Sequence, residues 1–164
     1  MHTLILDLDN TIYPVSSISD RLFPPLFRIL EKQEYQLEKG QLEEAKKEIM
    51  KRPFQKVAAD YQFPEALVKE SLDLLRNMVY EGEMKCFDDY YELVKIPAQR
   101  FLLTTGFSRL QWSKVERLGI ENDFSEIFIV DPDYTDYTKR DVISKILLDY
   151  QLHLSNVLVV GDDP

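Results

Sequence analysis

Residues 3–6, Thr3-Leu4-Ile5-Leu6, form an apolar run that stops at two carboxylates one residue apart, Asp7 and Asp9. Asn10 and Thr11 stand directly behind them. A run this short and this apolar reads as a strand buried on both faces, which is the pattern of a parallel sheet. The chain therefore leaves the core just where the acids begin, and ligands of open parallel sheets bind outside the carboxyl ends of the strands. Alternate residues of an extended segment point the same way, so Asp7 and Asp9 are expected to face one site. Two like charges that close repel each other, and a bound cation is the usual remedy. A turn or helix cap built from Asp and Asn explains the same letters without chemistry.

Three more strand-like runs follow: Arg100 to Thr104, Ile127 to Val130, and Asn156 to Val160. Helical spacing separates them, over Ser108 to Leu118 (Leu110, Val115, Leu118) and Lys139 to Tyr150 (Val142, Ile143, Ile146, Leu147). Strands alternating with helices predict right-handed βαβ units and a sheet covered on both faces. Residues 19–82 carry no strand pattern. Glu65 to Tyr80 shows an apolar face at i, i+3, i+4 spacing with Pro64 ahead of it and Gly82 behind. Gln41 to Lys51 and Leu22 to Gln33, the latter entered through Pro24-Pro25, complete an expected helical insertion.

Composition narrows the function. With 164 residues, 45% apolar and 12% aromatic, the chain has enough for one packed domain plus a modest insertion. The net charge of −9, from 29 acids against 20 bases, disfavours nucleic-acid polymers and anionic membranes as partners. A small anionic substrate has to be drawn in by local cations. One cysteine, Cys86, excludes an internal disulfide and a thiolate zinc cluster. No secretory leader or bilayer-length apolar run is present, so a cytoplasmic setting is expected. The sequence leaves the oligomeric state open. His2 and His153 have no ligand spacing and read as surface residues.

Each later strand ends in residues with chemical use. Thr104-Thr105-Gly106 offers a hydroxyl and approachable amides for phosphate oxygens, or a plain strand-to-helix turn. Lys139 opens a helix as a cation or as a solvated surface residue, and Arg140 beside it is not its equivalent. Gly161-Asp162-Asp163 is a second acidic pair at a carboxyl end, or an Asp-rich turn.

In this order, the four motifs resemble those of the haloacid dehalogenase (HAD) superfamily of phosphohydrolases: Asp7-Leu8-Asp9-Asn10-Thr11, then Thr104, Lys139 and Asp162-Asp163. The resemblance covers the whole chain. More narrowly, Asp-Leu-Asp-Asn-Thr-Ile-Tyr-Pro is similar to the opening of the pyrimidine 5′-nucleotidase-like branch. It implies an α/β, Rossmann-like three-layer core with a parallel sheet over residues 1–15 and 86–164. An all-helical cap over 16–85 would be inserted after the first strand. Members continue past the fourth motif with another helix, so the C-terminal part is expected to be incomplete at Pro164, or a partner to cover that face.

The resemblance also implies a Mg²⁺-dependent phosphomonoesterase acting on a small phosphorylated metabolite, a nucleoside monophosphate or sugar phosphate. Asp7 would be the nucleophile and Asp9 the acid and base. Mg²⁺ would be held by Asp7, the backbone carbonyl of Asp9, and Asp162. Thr104 and Lys139 would bind phosphate, with Asn10, Thr11 and Thr105 contributing beside them. Asp163 would orient Lys139, support the metal's surroundings, or face solvent. The family's dehalogenases lack the second acid, so Asp9 favours phosphate chemistry. A phosphomutase uses the same motifs. A receiver-like phospho-acceptor and a catalytically silent binding module are the readings from other classes. Tyr13, Phe23, Phe27, Tyr61 and Phe63 are candidates to stack on a substrate ring, or else cap core.

Overall fold

The computed structural model describes residues 2–35 and 37–162. The chain opens with strand β1, His2–Leu6, whose Thr3 to Leu6 are all buried. It divides into two compact units, one made of residues 1–18 and 79–164 and the other of residues 19–78.

The second unit is all helix: α1 (Ser19–Leu22), α2 (Pro24–Leu30), α3 (Lys39–Ile49), α4 (Phe54–Asp60) and α5 (Glu65–Asn77). The expected single helix from Leu22 to Gln33 is divided at Phe23, because Pro24 and Pro25 occupy the first turn of α2. Prolines carry no N–H, so the bonds that would continue α1 into α2 cannot form. Helix α5 ends three residues earlier than its apolar spacing predicts. Met78 turns extended, and the Asn77 side chain takes the Asp73 carbonyl at 2.9 Å. Leu67, Ser71 and Leu75 form its buried stripe, and α5 packs on α2. Helix α4 escaped the sequence pattern, since seven residues hold only two turns of it. Of the candidate stacking rings, Phe63 is buried against Phe54 and Tyr61, and Phe23 stacks on Phe27 at 5.8 Å.

The first unit resumes with the short α6 (Tyr90–Leu93), then β2 (Ala98–Thr105), α7 (Ser108–Leu118), β3 (Glu126–Val130), α8 (Lys139–Asp149) and β4 (Val157–Val160). The four strands form one parallel sheet in the order β3-β2-β1-β4. Leu6 is paired with Leu102 on one side and Val160 on the other. Side chains alternate across β2. Ile5, Phe101 and Leu103 join Val142 and Ile146 of α8 in one apolar cluster. Leu102 and Thr104 face the opposite layer, where Gln111 of α7 meets Thr104 at 2.7 Å. The fold is thus an α/β three-layer core around a parallel sheet. Among the described residues, no helix is long and apolar enough to cross a membrane.

Candidate active site

The site gathers where β1 ends between its two neighbours. The Asp7 amide still bonds the Val160 carbonyl at 2.9 Å, the last rung of the β1–β4 ladder. Strand geometry then stops. The Leu8 amide donates to Asp7 Oδ1 at 2.8 Å, and the amides of Thr11 and Ile12 both return to the Leu8 carbonyl. Asn10 completes the turn at φ 57°, a left-handed conformation that Asn tolerates better than most residues.

The two acids beside this turn are held by different helices. Asp7 is paired with α8 and Asp9 with α7. Asp7 Oδ2 lies 2.7 Å from Lys139 Nζ, and Lys139 is the first residue of α8. Asp9 is held instead by α7: Lys114 Nζ donates to Oδ1 at 2.8 Å and Gln111 Nε2 to Oδ2 at 2.9 Å. The Tyr13 hydroxyl also donates to Asp9 Oδ1. Tyr13 is fully buried, so it is a ligand of Asp9 and not a ring offered to substrate.

The two carboxylates differ electrostatically for a visible reason. Burial pushes the Asp7 carboxyl above its ordinary value, although the bond and charge of Lys139 pull it back, and the charge of Asp9 adds to the rise. Burial acts the same way on Asp9. There, Lys114 together with the Tyr13 and Gln111 bonds outweighs it, and the Asp9 carboxyl lies below its ordinary value.

Local sequence explains how each partner is delivered. Thr138 and Asp141 form a reciprocal capping box that starts α8 at Lys139. Helix α7 starts at Ser108, and its N-cap Phe107 has no side-chain bond to offer. The cap comes from the end of β3 instead: buried Asp131 accepts from the Ser108 amide at 2.7 Å and its hydroxyl at 2.6 Å. The second Asp131 oxygen takes the Asp133 amide at 3.0 Å. Gly106 lies between β2 and α7 at φ 150°, where a Cβ would sit 3.1 Å from both Cγ and Cδ of Gln111. Glycine is what lets the Gln111 side chain pass the backbone.

The other expected residues fall as follows. Buried Thr104 accepts from Gln111 Nε2, which leaves its own hydroxyl proton free to be donated. Thr105 gives its carbonyl to the same amide at 3.2 Å. Asn10 does more than offer an amide: its side chain accepts from the Val15 amide at 3.0 Å and donates to Asp162 Oδ2 at 3.1 Å. That bond draws Asp162 to the turn after β1. The Thr11 hydroxyl is buried and has no hydrogen-bond partner among the described residues. Asp163 lies outside the described residues.

Sequence alone does not single out Lys114, Gln111 or Asp131, and it gives Tyr13 a different role. Gln111 and Lys114 stand three apart, one helical face, and a lysine beside the apolar Leu110, Val115 and Leu118 was the available signal. Asp131 carried none, since a cap supplied from 23 residues away leaves no local spacing.

Asp7, Asp162 and the Asp9 carbonyl are all hard oxygen donors, the set that Mg²⁺ takes. Among the described residues, no three His, Cys, Asp or Glu side chains cluster as a metal cage. Two carboxylates and a carbonyl fit an ion that keeps several waters, and a buried carboxylate with a raised proton affinity gains most from a cation.

A parallel α/β sheet with acids at the carboxyl ends of two adjacent strands, and a lysine paired with the first of them, is a Rossmann-like arrangement with its candidate site at the open end of the sheet. The chain belongs to the haloacid dehalogenase-like hydrolase family, whose model matches residues 1–164. The fold is similar to a haloacid dehalogenase-like family hydrolase from Streptococcus pneumoniae, with TM-score 0.69 and 18% identity over 99% of this chain and 76% of that one. A Clostridium difficile protein assigned as a phosphatase gives TM-score 0.67 and 16% identity over 98% and 76% of the two chains. YfnB of Bacillus subtilis, assigned as a HAD hydrolase and bound to magnesium, gives 0.60 and 18% over 99% and 78%. No curated protein matches the chain in sequence.

Proposed function

We propose that this chain is a Mg²⁺-dependent phosphomonoesterase that hydrolyses a small phosphorylated metabolite, a nucleoside monophosphate or a sugar phosphate, through an aspartyl-phosphate. The observation that carries the reading is the buried Asp7 carboxylate at the end of β1, with Lys139 Nζ at 2.7 Å. It is a nucleophile beside a cation, on the open end of the sheet. The helical unit over residues 19–78 is, in this reading, the cap that selects the substrate.

Asp7 attacks phosphorus, and the bond to the leaving oxygen breaks as the new one forms. Asp9 gives that oxygen a proton, then takes one from the water that cleaves the aspartyl-phosphate. Lys139 and the free Thr104 hydroxyl proton neutralise non-bridging oxygens while charge redistributes. Asp7, the Asp9 carbonyl and Asp162 would hold Mg²⁺, which would supply further neutralisation of charge on the phosphoryl oxygens. Asp9 enters the first step carrying a proton, leaves it ionised, and regains the proton from water in the second; its Lys114, Tyr13 and Gln111 partners suit the ionised form that serves as base.

The test is hydrolysis of an aryl phosphate with and without Mg²⁺, by the wild type and by Asp7→Asn. Metal-dependent turnover that vanishes in the variant supports the reading. Turnover that survives in Asp7→Asn overturns it. Transfer of the phosphoryl group to a sugar hydroxyl in preference to water would identify a mutase.

A further inference from the structure

We propose that Lys114 and Gln111 are positioning residues for Asp9, fixing its carboxylate where it exchanges protons with the leaving oxygen and the hydrolytic water. The inference rests on the phosphatase reading and deepens it.

Asp9 sits on a turn, beyond the last rung of β1, so the sheet does not fix its side chain. Three donors do: Tyr13 and Lys114 on Oδ1, Gln111 on Oδ2. Tyr13 follows only four residues after Asp9 in the same segment. Lys114 and Gln111 come from α7, which is tied to β3 through Asp131. They connect the Asp9 carboxylate to a helix of the core.

The Lys114 side chain is only 5% exposed. A buried ammonium is costly unless paired, and an apolar side chain of similar length would pack α7 at less cost. Its ammonium reaches Asp9 and lies 5.9 Å from the centre of the Tyr13 ring. Nothing about helix packing calls for a cation there, whereas orienting a carboxylate does.

Gln111 has no freedom to reverse. The Thr105 carbonyl is an acceptor only, so the end of the amide that faces it must be Nε2. That same nitrogen faces Asp9 Oδ2 and Thr104 Oγ1. Two hydrogens serve three acceptors, so one bond is shared. The Thr105 carbonyl thereby sets the amide, and the amide sets Asp9. General acids lose about 100-fold when displaced by about 1 Å, so an unclamped Asp9 is a poor proton donor even with its own atoms intact.

Leaving-group chemistry separates this from a structural role. A p-nitrophenolate departs without a proton, whereas an alkoxide needs one. For Lys114→Met, kcat on an alkyl phosphate should fall about 100-fold, while first-turnover release of p-nitrophenol falls less than about threefold. The aspartyl-phosphate should accumulate, because its hydrolysis also uses Asp9. In an Asp9→Asn background, Lys114→Met should cause no further loss on the alkyl ester. Melting of the metal-free protein gives a readout apart from activity: the losses of Lys114→Met and Asp9→Asn should not add. Gln111→Leu should show the same split between esters and serves if Lys114→Met does not fold. Equal losses on both esters, or additive losses in the double variant, would overturn the inference and leave the phosphatase reading intact. A wild type with no Mg²⁺-dependent turnover and no phosphoenzyme would overturn both.

Discussion

Asn10 Nδ2 donates to Asp162 Oδ2 across 3.1 Å, joining the turn after β1 to the residue just past β4. One side chain therefore ties the turn that follows Asp7 to an acid 155 positions away from it, Asp162. It does so from a left-handed backbone that most side chains resist.

Asn10→Gly and Asn10→Ala separate these two contributions. Both lose the bonds to Asp162 and to the Val15 amide, but only Ala adds strain at positive φ, about 1–2 kcal/mol. Asn10→Ala is expected to melt below Asn10→Gly by that margin in a denaturation experiment. Both should need more Mg²⁺ than the wild type for half-maximal activity.

Asp7→Asn should raise the melting temperature of the metal-free protein at neutral pH. Burial lifts the folded Asp7 carboxyl above its ordinary value of 3.8, so the folded state prefers the neutral form. The stability linked to that proton is present below the ordinary value and lost as pH rises through the raised one. The amide is never charged, so the advantage of Asp7→Asn should shrink on acidification. Mg²⁺ should reverse the order. At about 100 times its Kd, a ligand adds about 2.7 kcal/mol to the state that binds it, and only the wild type should gain this.

Gly106→Ala is expected to cost stability and activity together. A side chain at φ 150° is strained, on the order of 1–3 kcal/mol, and its Cβ presses on Gln111. Displacing Gln111 releases Asp9 and Thr104, so alkyl-phosphate turnover should fall more than the melting temperature alone would explain.

Asp131→Ala removes the cap of α7 and leaves the Ser108 amide without its partner. The expected loss is about 0.5–2 kcal/mol by chemical denaturation, as for other N-caps. Asp131→Asn keeps one oxygen acceptor and should recover part of it.

Cys86 should react slowly with thiol reagents near pH 8 in the native protein and quickly once denatured. Burial, helped by the charge of Asp123, pushes its thiol up to about 11, so little thiolate is present. Labelling followed over time with and without denaturant checks this.

The parts of the molecule that a reader of the sequence reaches are those encoded by local period. The apolar runs that became β1 to β4 and the spacing of α7 are visible because a buried parallel strand and an amphipathic helix each write their own repeat. The motif acids stood out because they follow strands. What stayed hidden is what depends on contacts between distant segments. The Lys114 ammonium is one lysine among many until α7 is laid against the turn after β1. Asp131 is one acid among 29 until β3 brings it under Ser108. That Asp7 is held by α8 and Asp9 by α7 is likewise invisible until the Leu8 carbonyl captures the amides of Thr11 and Ile12 and turns the chain after β1.

The pairing of β1 with β4 has a consequence for how the protein is made. The first strand leaves the ribosome with Asp7 already in place, yet its partner Val160 follows some 150 residues later, on the order of ten seconds at ordinary rates of synthesis. Throughout that interval Asp162 does not exist, and neither does the acid pair. On the proposed mechanism, the chain made up to that point carries Asp7 without Asp162, and the two acids come together only once β4 has been made and has paired with β1.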